Sequence, residues 1–337
     1  MLKDIRVSCS PHISEPLSTR TVMIDVMIGL VPAMAAAGYY FRIHAVVLIT
    51  VCILSCVAAE WLCNAICKRP NSLGDFSAVV TGILLALSLP PKLPIWVAVI
   101  GGAFSIAIGK MVFGGLGANI FNPAMVGRTF LSVSFGVLMT SWTVPATLDP
   151  AMSDIAQENA INMRTQATPL AWSKMAIKNE LGADIYHEEQ FTATFTGEVG
   201  GCLGETSSIA LLLGGLYLLI RRTISFHTPL AVLASAFVFA SIAFFVDSYA
   251  YVEPFFHLTS GGLLLCAFFI ATDPVTAPLT RRGMWLFGVG VGAITMLIRI
   301  VGEYPEGVMF AVLLMNAVTP LIDRLFERIP IGGKPSI

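Results

Sequence analysis

An all-α, polytopic membrane protein is the fold class this sequence predicts, and three observations predict it. Of 337 residues, 56% are apolar and only 12% are charged, against about 25% charge in an ordinary soluble domain. The mean hydropathy is +0.80. The apolar residues also gather into runs approaching the length of about 20 residues that a helix needs to cross a bilayer core. A soluble enzyme and a disordered chain are thereby excluded. Lys plus Arg number 20 against 21 Asp plus Glu, so the chain lacks the basic footprint of a nucleic-acid binder, and no nucleic-acid partner is expected.

Ten segments are expected in order: 22–41, 45–67, 76–89, 93–113, 121–140, 206–220, 228–246, 258–272, 284–301 and 307–326. Residues 1–21 precede them as an N-terminal segment without an apolar core, so no secretory leader is expected ahead of the first span. Residues 22–140 make a first group of five. Residues 141–205 are polar, with Asp149, Asp154, Glu158, Asp184, Glu188 and Glu189, and cannot sit in lipid. Residues 206–326 make a second group of five, and 327–337 a tail.

The third segment of each group is short and ends at proline, at Pro90-Pro91 in the first and Asp273-Pro274 in the second. The fifth segment of each group lies beside a glycine-bearing helix start with an Asn: Asn119 and Asn122 in the first, Gly307 with Asn316 in the second. Short, interrupted segments at matching positions predict an internal repeat with a binding site at its interface. Five spans per group force opposite orientations, so the expectation is two inverted five-helix repeats.

Positive charge sets the orientation. With the N-terminus in the cytoplasm, thirteen Lys and Arg fall at inside ends, including Lys68, Arg69, Lys110, Arg221, Arg222, Arg281 and Arg282. Only three, Arg42, Lys92 and Arg299, fall at short outside ends. Both termini are therefore expected in the cytoplasm and the 141–205 loop outside it.

Gly114-Gly115-Leu116-Gly117-Ala118-Asn119-Ile120-Phe121-Asn122-Pro123-Ala124 is the most unusual string. Gly115 and Gly117 let a backbone approach a flat ligand closely, and Asn119 and Asn122 offer amide donors and acceptors for a heteroaromatic edge. Asn122 before Pro123 is equally a helix cap followed by proline at the first helical position. The string is not a dinucleotide fingerprint, because no strand precedes it. Carboxylates inside apolar segments are costly and so are functional candidates: Asp25, Glu60 and, at the end of the eighth segment, Asp273, all candidates for an ion path. Asp25 could instead bond a neighbouring helix, and Asp273 could cap the turn after it. Cys52, Cys56, Cys63 and Cys67 share a helix stripe without any C-x-x-C spacing, which suits packing better than metal ligation. No metal set and no catalytic triad is expected, since the five His residues are scattered.

Several strings together resemble a known family. Thr165-Gln166-Ala167-Thr168-Pro169-Leu170, by composition only a solvated turn, is similar to the flavinylation motif of the D subunit of the Rnf electron-transport complex and of the related B subunit of the sodium-pumping NADH:quinone reductase. Gly114–Ala124, Thr272-Asp273-Pro274-Val275-Thr276 and the segment from Tyr304 to Asn316 resemble further family strings in the same order, over about residues 5–326. The motif departs from Ser-Gly-Ala-Thr at Thr165 and Gln166, which leaves the acceptor hydroxyl in place. A first span beginning near Val22 favours the Rnf member, because the quinone-reductase subunit has a longer N-terminal extension.

The resemblance implies FMN joined through its phosphate to the Thr168 oxygen by a separate flavin transferase. It implies a second, non-covalent flavin (riboflavin or another) at Asn119 and Asn122, with Gly115 and Gly117 beside them. It also implies a multi-pass protein of a bacterial or archaeal cell (inner) membrane, a urea-transporter-like inverted repeat, and partner Rnf subunits A, B, C, E and G through which ferredoxin and NAD are reached. Electron relay would be coupled to Na+ or H+ movement, with no complete active site in this chain alone. The alternatives are a solute channel of urea-transporter-like fold and the quinone-reductase B subunit itself.

Overall fold

The computed structural model describes residues 18–142, 170–171, 195, 200–248, 251–302, 304 and 306–326. Among the described residues every regular element is helical. In chain order they are α1 Thr19–Phe41, α2 Ile43–Ile66, a 3-10 turn at Leu73–Asp75, α3 Ser77–Leu87, α4 Ile95–Ile106 running into a π turn at Ala107–Met111, α5 Pro123–Ser134 and the short α6 Gly136–Met139. Further along the chain come α7 Ser208–Ile220, α8 His227–Val246, α9 Pro254–Thr259, α10 Leu263–Leu265 running into a π turn at Cys266–Ile270, α11 Arg281–Ile300 and α12 Val308–Leu325. Five of these, α1, α2, α8, α11 and α12, are long and apolar enough to cross a membrane.

Local chemistry starts several of them. Ser18 accepts from the Thr21 amide at α1, Ser207 from Ala210 at α7, and Thr280 from Gly283 at α11. Each satisfies an amide that the helix cannot pair itself, which matters most where lipid replaces water. One residue, Arg42 at φ 50°, turns α1 into α2.

Two expected spans are broken. The 258–272 segment is a pair of short helices separated at Ser260–Gly262, where Gly261 takes φ 71°. A Cβ there would meet Glu306 Oε1 and the Leu170 side chain at 2.6 Å, so glycine alone fits the turn. The 121–140 segment is interrupted at Phe135, ahead of Gly136, a poor helix residue.

The packing repeats in kind. In the first group α2 packs on α3 and α4, and α4 on α5; in the second, α8 packs on α9 and α11, and α11 on α12. The groups meet through α1 against α7 and α5 against α12. The α1–α7 crossing is backbone on backbone: a Cβ on Gly214 would lie 1.9 Å from the Gly29 carbonyl oxygen. Small residues permit such contact in lipid, where dispersion rather than water exclusion holds helices together. Every residue of α3 except Val79 is buried, as is all of 262–271. An element that is apolar all round belongs in the interior, so the short third segments run through the centre. The long helices surround them, with Leu54, Trp61, Leu62 and Ile66 of α2 each more than half exposed.

Candidate functional site

A narrow cleft opens where the two central segments approach each other. Its polar wall is Ser77 and Thr81 of α3, Lys110 of the α4 π turn, Asn119 and Asn122 of the loop before α5, and Asp273 at the end of the broken segment. Val22 and Val26 of α1, Leu84 of α3 and Phe269 complete it with apolar surface. Mostly apolar walls with a few convergent polar groups are the usual make-up of a small-molecule site.

The glycines of the 114–117 loop act through the backbone. Gly114, Gly115 and Gly117 have φ of 124°, 109° and 92°, a region closed to other residues without strain. Gly115 and Gly117 do not face the cleft; they bend the loop so that Leu116 and Asn119 do. Asn119 braces that bend, accepting from the Gly117 amide at 3.3 Å and donating to the Phe121 carbonyl at 3.2 Å. Asn122 uses Oδ1 to cap α5, accepting from the Ala124 and Met125 amides at 3.1 and 3.3 Å. Its Nδ2 donates to none of the described residues, which leaves an amide donor for the cleft. Across the cleft, Asp273 accepts from the Val275 amide at 3.3 Å and from Thr276 Oγ1 at 3.0 Å. A half-buried carboxylate so held is fixed in orientation.

Asp25 and Glu60 stand one residue behind the walls. Asp25 accepts from Thr223 Oγ1 at 2.9 Å, with Tyr217 and Arg221 at 3.4 Å, and so ties α1 to the end of α7; Thr223 itself lines the cleft. Glu60 is fully buried and receives the Lys110 ammonium at 2.8 Å on both oxygens. The structure thus gathers Asn119, Asn122 and Asp273 on one cavity, with Asp25 and Glu60 each reaching it through one bonded neighbour.

A family model described as the NQR2, RnfD, RnfE family matches residues 6–332. The chain belongs to that family. It is 41% identical over 327 residues to the D subunit of the Na(+)-translocating ferredoxin:NAD(+) oxidoreductase complex of Acetobacterium woodii, covering 96% of this chain and 94% of the relative. It is 38% identical over 329 residues to the D subunit of the proton-translocating ferredoxin:NAD(+) oxidoreductase complex of Clostridium ljungdahlii, covering 97% and 96%. To the D subunit of the ion-translocating oxidoreductase complex of Stutzerimonas stutzeri it is 40% identical over 336 residues, covering 95% of each.

Within this family member, Thr168 lies outside the described residues. Leu170, two positions on, is described, and is buried against Val252 and Phe256. Sequence reasoning missed Lys110 as a site residue, counting it as a cytoplasmic charge. The signal was its setting, Ala-Ile-Gly-Lys-Met-Val-Phe, an unbroken apolar run on both sides. It also missed a second buried cluster six residues along α5 from Asn122, about 9 Å along the axis. There the Arg128 guanidinium bonds Glu306 and lies 3.4 Å from Glu205. Glu306 also accepts from the Gly262 amide at 2.7 Å. Arg299, expected at an outside end, is buried and donates to the His257 and Ser260 carbonyls at 2.6 and 3.0 Å. Glu306 is buried with it. Cys202, Glu205 and Glu306 have metal-compatible spacing, but Arg128 already supplies the positive charge among them, and no metal is assigned.

Asn122 carries two roles that can be separated. Asn122→Ala should lower stability by about 1 kcal/mol through loss of the cap. Asn122→Asp keeps the cap oxygen, should leave thermal unfolding in detergent unchanged, and should weaken retention of any cleft ligand by removing the amide donor. A destabilised Asp variant would refute the division.

Proposed function

We propose that this chain is the membrane electron-transfer D subunit of an ion-translocating ferredoxin:NAD(+) oxidoreductase complex, with FMN carried covalently on Thr168 and a second, non-covalent flavin in the cleft. The observation that carries the reading is the meeting of the Asn119–Asn122 loop, Asp273 and the two buried central segments on one cavity, in a chain similar over nearly its whole length to subunits of that name.

The polar side chains lining the cleft are of the kind that suit the edge of a flavin. A free Asn122 amide donor, the Asp273 carboxylate and the Ser77 and Thr81 hydroxyls face apolar walls of Leu116, Leu84 and Phe269. That donor and acceptor set suits the polar edge of a fused heteroaromatic ring whose body is apolar. When bound, the flavin supplies one- and two-electron transfer; the chain's own residues hold the ring, exclude water and set the charge around it. The attachment at Thr168 is supported by the Thr165–Leu170 string alone, with a flavin transferase for maturation. Leu170, two positions on, is buried against Val252 and Phe256.

Matching helix pairings in the two groups, and the crossings of first on first and fifth on fifth helices, support two inverted five-helix repeats. That arrangement carries the urea-transporter-like comparison with it. The charge bias supports cytoplasmic termini and an extracytoplasmic 141–205 loop in a prokaryotic cell membrane. Subunits A, B, C, E and G are the partners in this reading. Ferredoxin and NAD act through them, and electron transfer is coupled to Na+ or H+ movement.

The test is mass analysis of the peptide spanning residues 165–174 from a host that contains the transferase, with in-gel fluorescence of the denatured band. An FMN adduct that disappears in Thr168→Ala is the expected result. A bare threonine in the wild-type peptide overturns the covalent assignment.

A further inference from the structure

A groove of about 430 Å³ opens at the end of the bundle where α2 and α4 begin. It shares no residue with the cleft. Ile43 and Val47 of α2, with Leu93 and Ile95 at the start of α4, form its apolar walls, and His44 and Lys92 are its polar side chains. No carboxylate is among the described residues that line it. The two helices pack along each other, and their first turns meet here. Neither start has a side-chain cap or an acidic residue in its first turn. The partial positive charge of those helix ends therefore adds to the charge of Lys92.

Positive charge at this end runs against the bias of the rest of the chain. Of the three cations at the short ends on this side, Arg299 is spent on carbonyls inside the protein. The other two are the half-buried Lys92 and Arg42, which is exposed and immediately precedes Ile43. Tyr39 near the end of α1 and Trp96 in the first turn of α4 are each more than half exposed. Exposed rings of this kind mark the level of the membrane–water interface. From that level two exposed apolar tracks lead into the bilayer, Ile43, Val47 and Leu54 on one face of α2, and Ile95 and Val99 on α4.

We propose that this groove is a binding site for an anionic phospholipid. The phosphate lies against Lys92, His44 and the first turn of α2, in the field of Arg42. An acyl chain lies between the two tracks. An apolar helix of another subunit would cover the tracks and offer nothing to the cations. Free phosphate would meet the charge and leave the tracks bare. A phosphodiester joined to an acyl chain matches both features. A zwitterionic headgroup brings an ammonium of its own into a groove lined by no carboxylate, so the anionic headgroup is the better fit. Basic pockets between spanning helices hold anionic headgroups by the same combination.

The test uses the full chain, purified in mild detergent with its co-purifying subunits. Phosphatidylglycerol carrying a photoactivatable group in one acyl chain is added, and labelled peptides are mapped by mass spectrometry. Labelling of the 43–54 and 91–99 segments is expected. Unlabelled phosphatidylglycerol should compete for it, and phosphatidylcholine and inorganic phosphate should not. Arg42→Gln with Lys92→Gln should raise the half-labelling concentration by about 30-fold, from the fivefold or so that each basic residue contributes near an anionic headgroup. Arg42→Lys with Lys92→Arg, which keep both charges, should label as the wild type does, so that a loss in the glutamine pair reports charge rather than folding. Arg281→Gln with Arg282→Gln, the same loss of charge at the opposite end, should leave labelling of the two segments unchanged. Equal competition by phosphatidylcholine would mean an ordinary boundary lipid and overturns the proposal. Competition by phosphate alone overturns it as well. So does the absence of label from both segments, whether the groove is empty or covered by another subunit.

Discussion

Arg128→Met is expected to cost about 3–5 kcal/mol of stability, the range for removing one partner of a buried charge group. Arg128 stands at the α5–α12 contact, bonded to Glu306 and beside Glu205. Its removal leaves two buried carboxylates whose oxygens lie within 4.8 Å of each other, and like charges at that spacing cannot both stay ionised without a counter-charge. Arg299 remains as one nearby cation for the two carboxylates, but its guanidinium also serves the His257 and Ser260 carbonyls. The cluster also joins four parts of the chain: α5, the 202–205 turn, the break at Gly262 and the start of α12. Failure should therefore open the contact between the two helix groups. The check is thermal unfolding in detergent. The triple variant Arg128→Met, Glu205→Gln, Glu306→Gln, which removes the stranded charges, should recover more than half of the loss. Arg128→Met unfolding at the wild-type temperature would show that the cluster carries no net stability.

Gly214→Leu should rank next. Overpacking a well-filled interior costs about 1–3 kcal/mol and sometimes more. This site belongs at the upper end, because the obstacle is the Gly29 carbonyl at 1.9 Å rather than a side chain that can rotate away. Four residues before Gly29, Asp25 bonds Tyr217 and Arg221, three and seven residues beyond Gly214. Forcing α1 and α7 apart should loosen that tie and widen the cleft wall formed by Val22, Val26 and Thr223. The expected readout is a lowered unfolding temperature together with new thiol reactivity when Val26→Cys is placed in an otherwise cysteine-free chain. Gly214→Ala should do the same less severely. An unchanged unfolding temperature in Gly214→Leu would mean that the crossing is looser than the backbone contact implies.

Much of this protein is legible in the order of its residues, and particular positions show why. Hydropathy located the membrane-crossing helices to within a few residues because transfer from water to lipid is a local property of each segment. Asn122-Pro123 marked the start of α5 because a cap acts over three residues. The paired prolines and the glycine string pointed to the loop and the broken segment that now border one cleft. The break at Gly261 was less visible, because a single glycine says only that a turn is allowed there. The partner that uses the turn is Glu306, 44 residues away from the amide it accepts.

The chain by itself determined what each segment can bear: which stretches can lie in lipid, which can begin a helix, and which must bend. Only the tertiary structure decided which charges meet. Lys110 reads locally as a cytoplasmic lysine, and it becomes a buried cation because Glu60, 50 positions earlier, is packed against it. Arg128 and Glu306 are 178 positions apart and make sense only as a pair. Solvation of a charge depends on everything within a few ångströms of it, and that neighbourhood is assembled from distant parts of the chain.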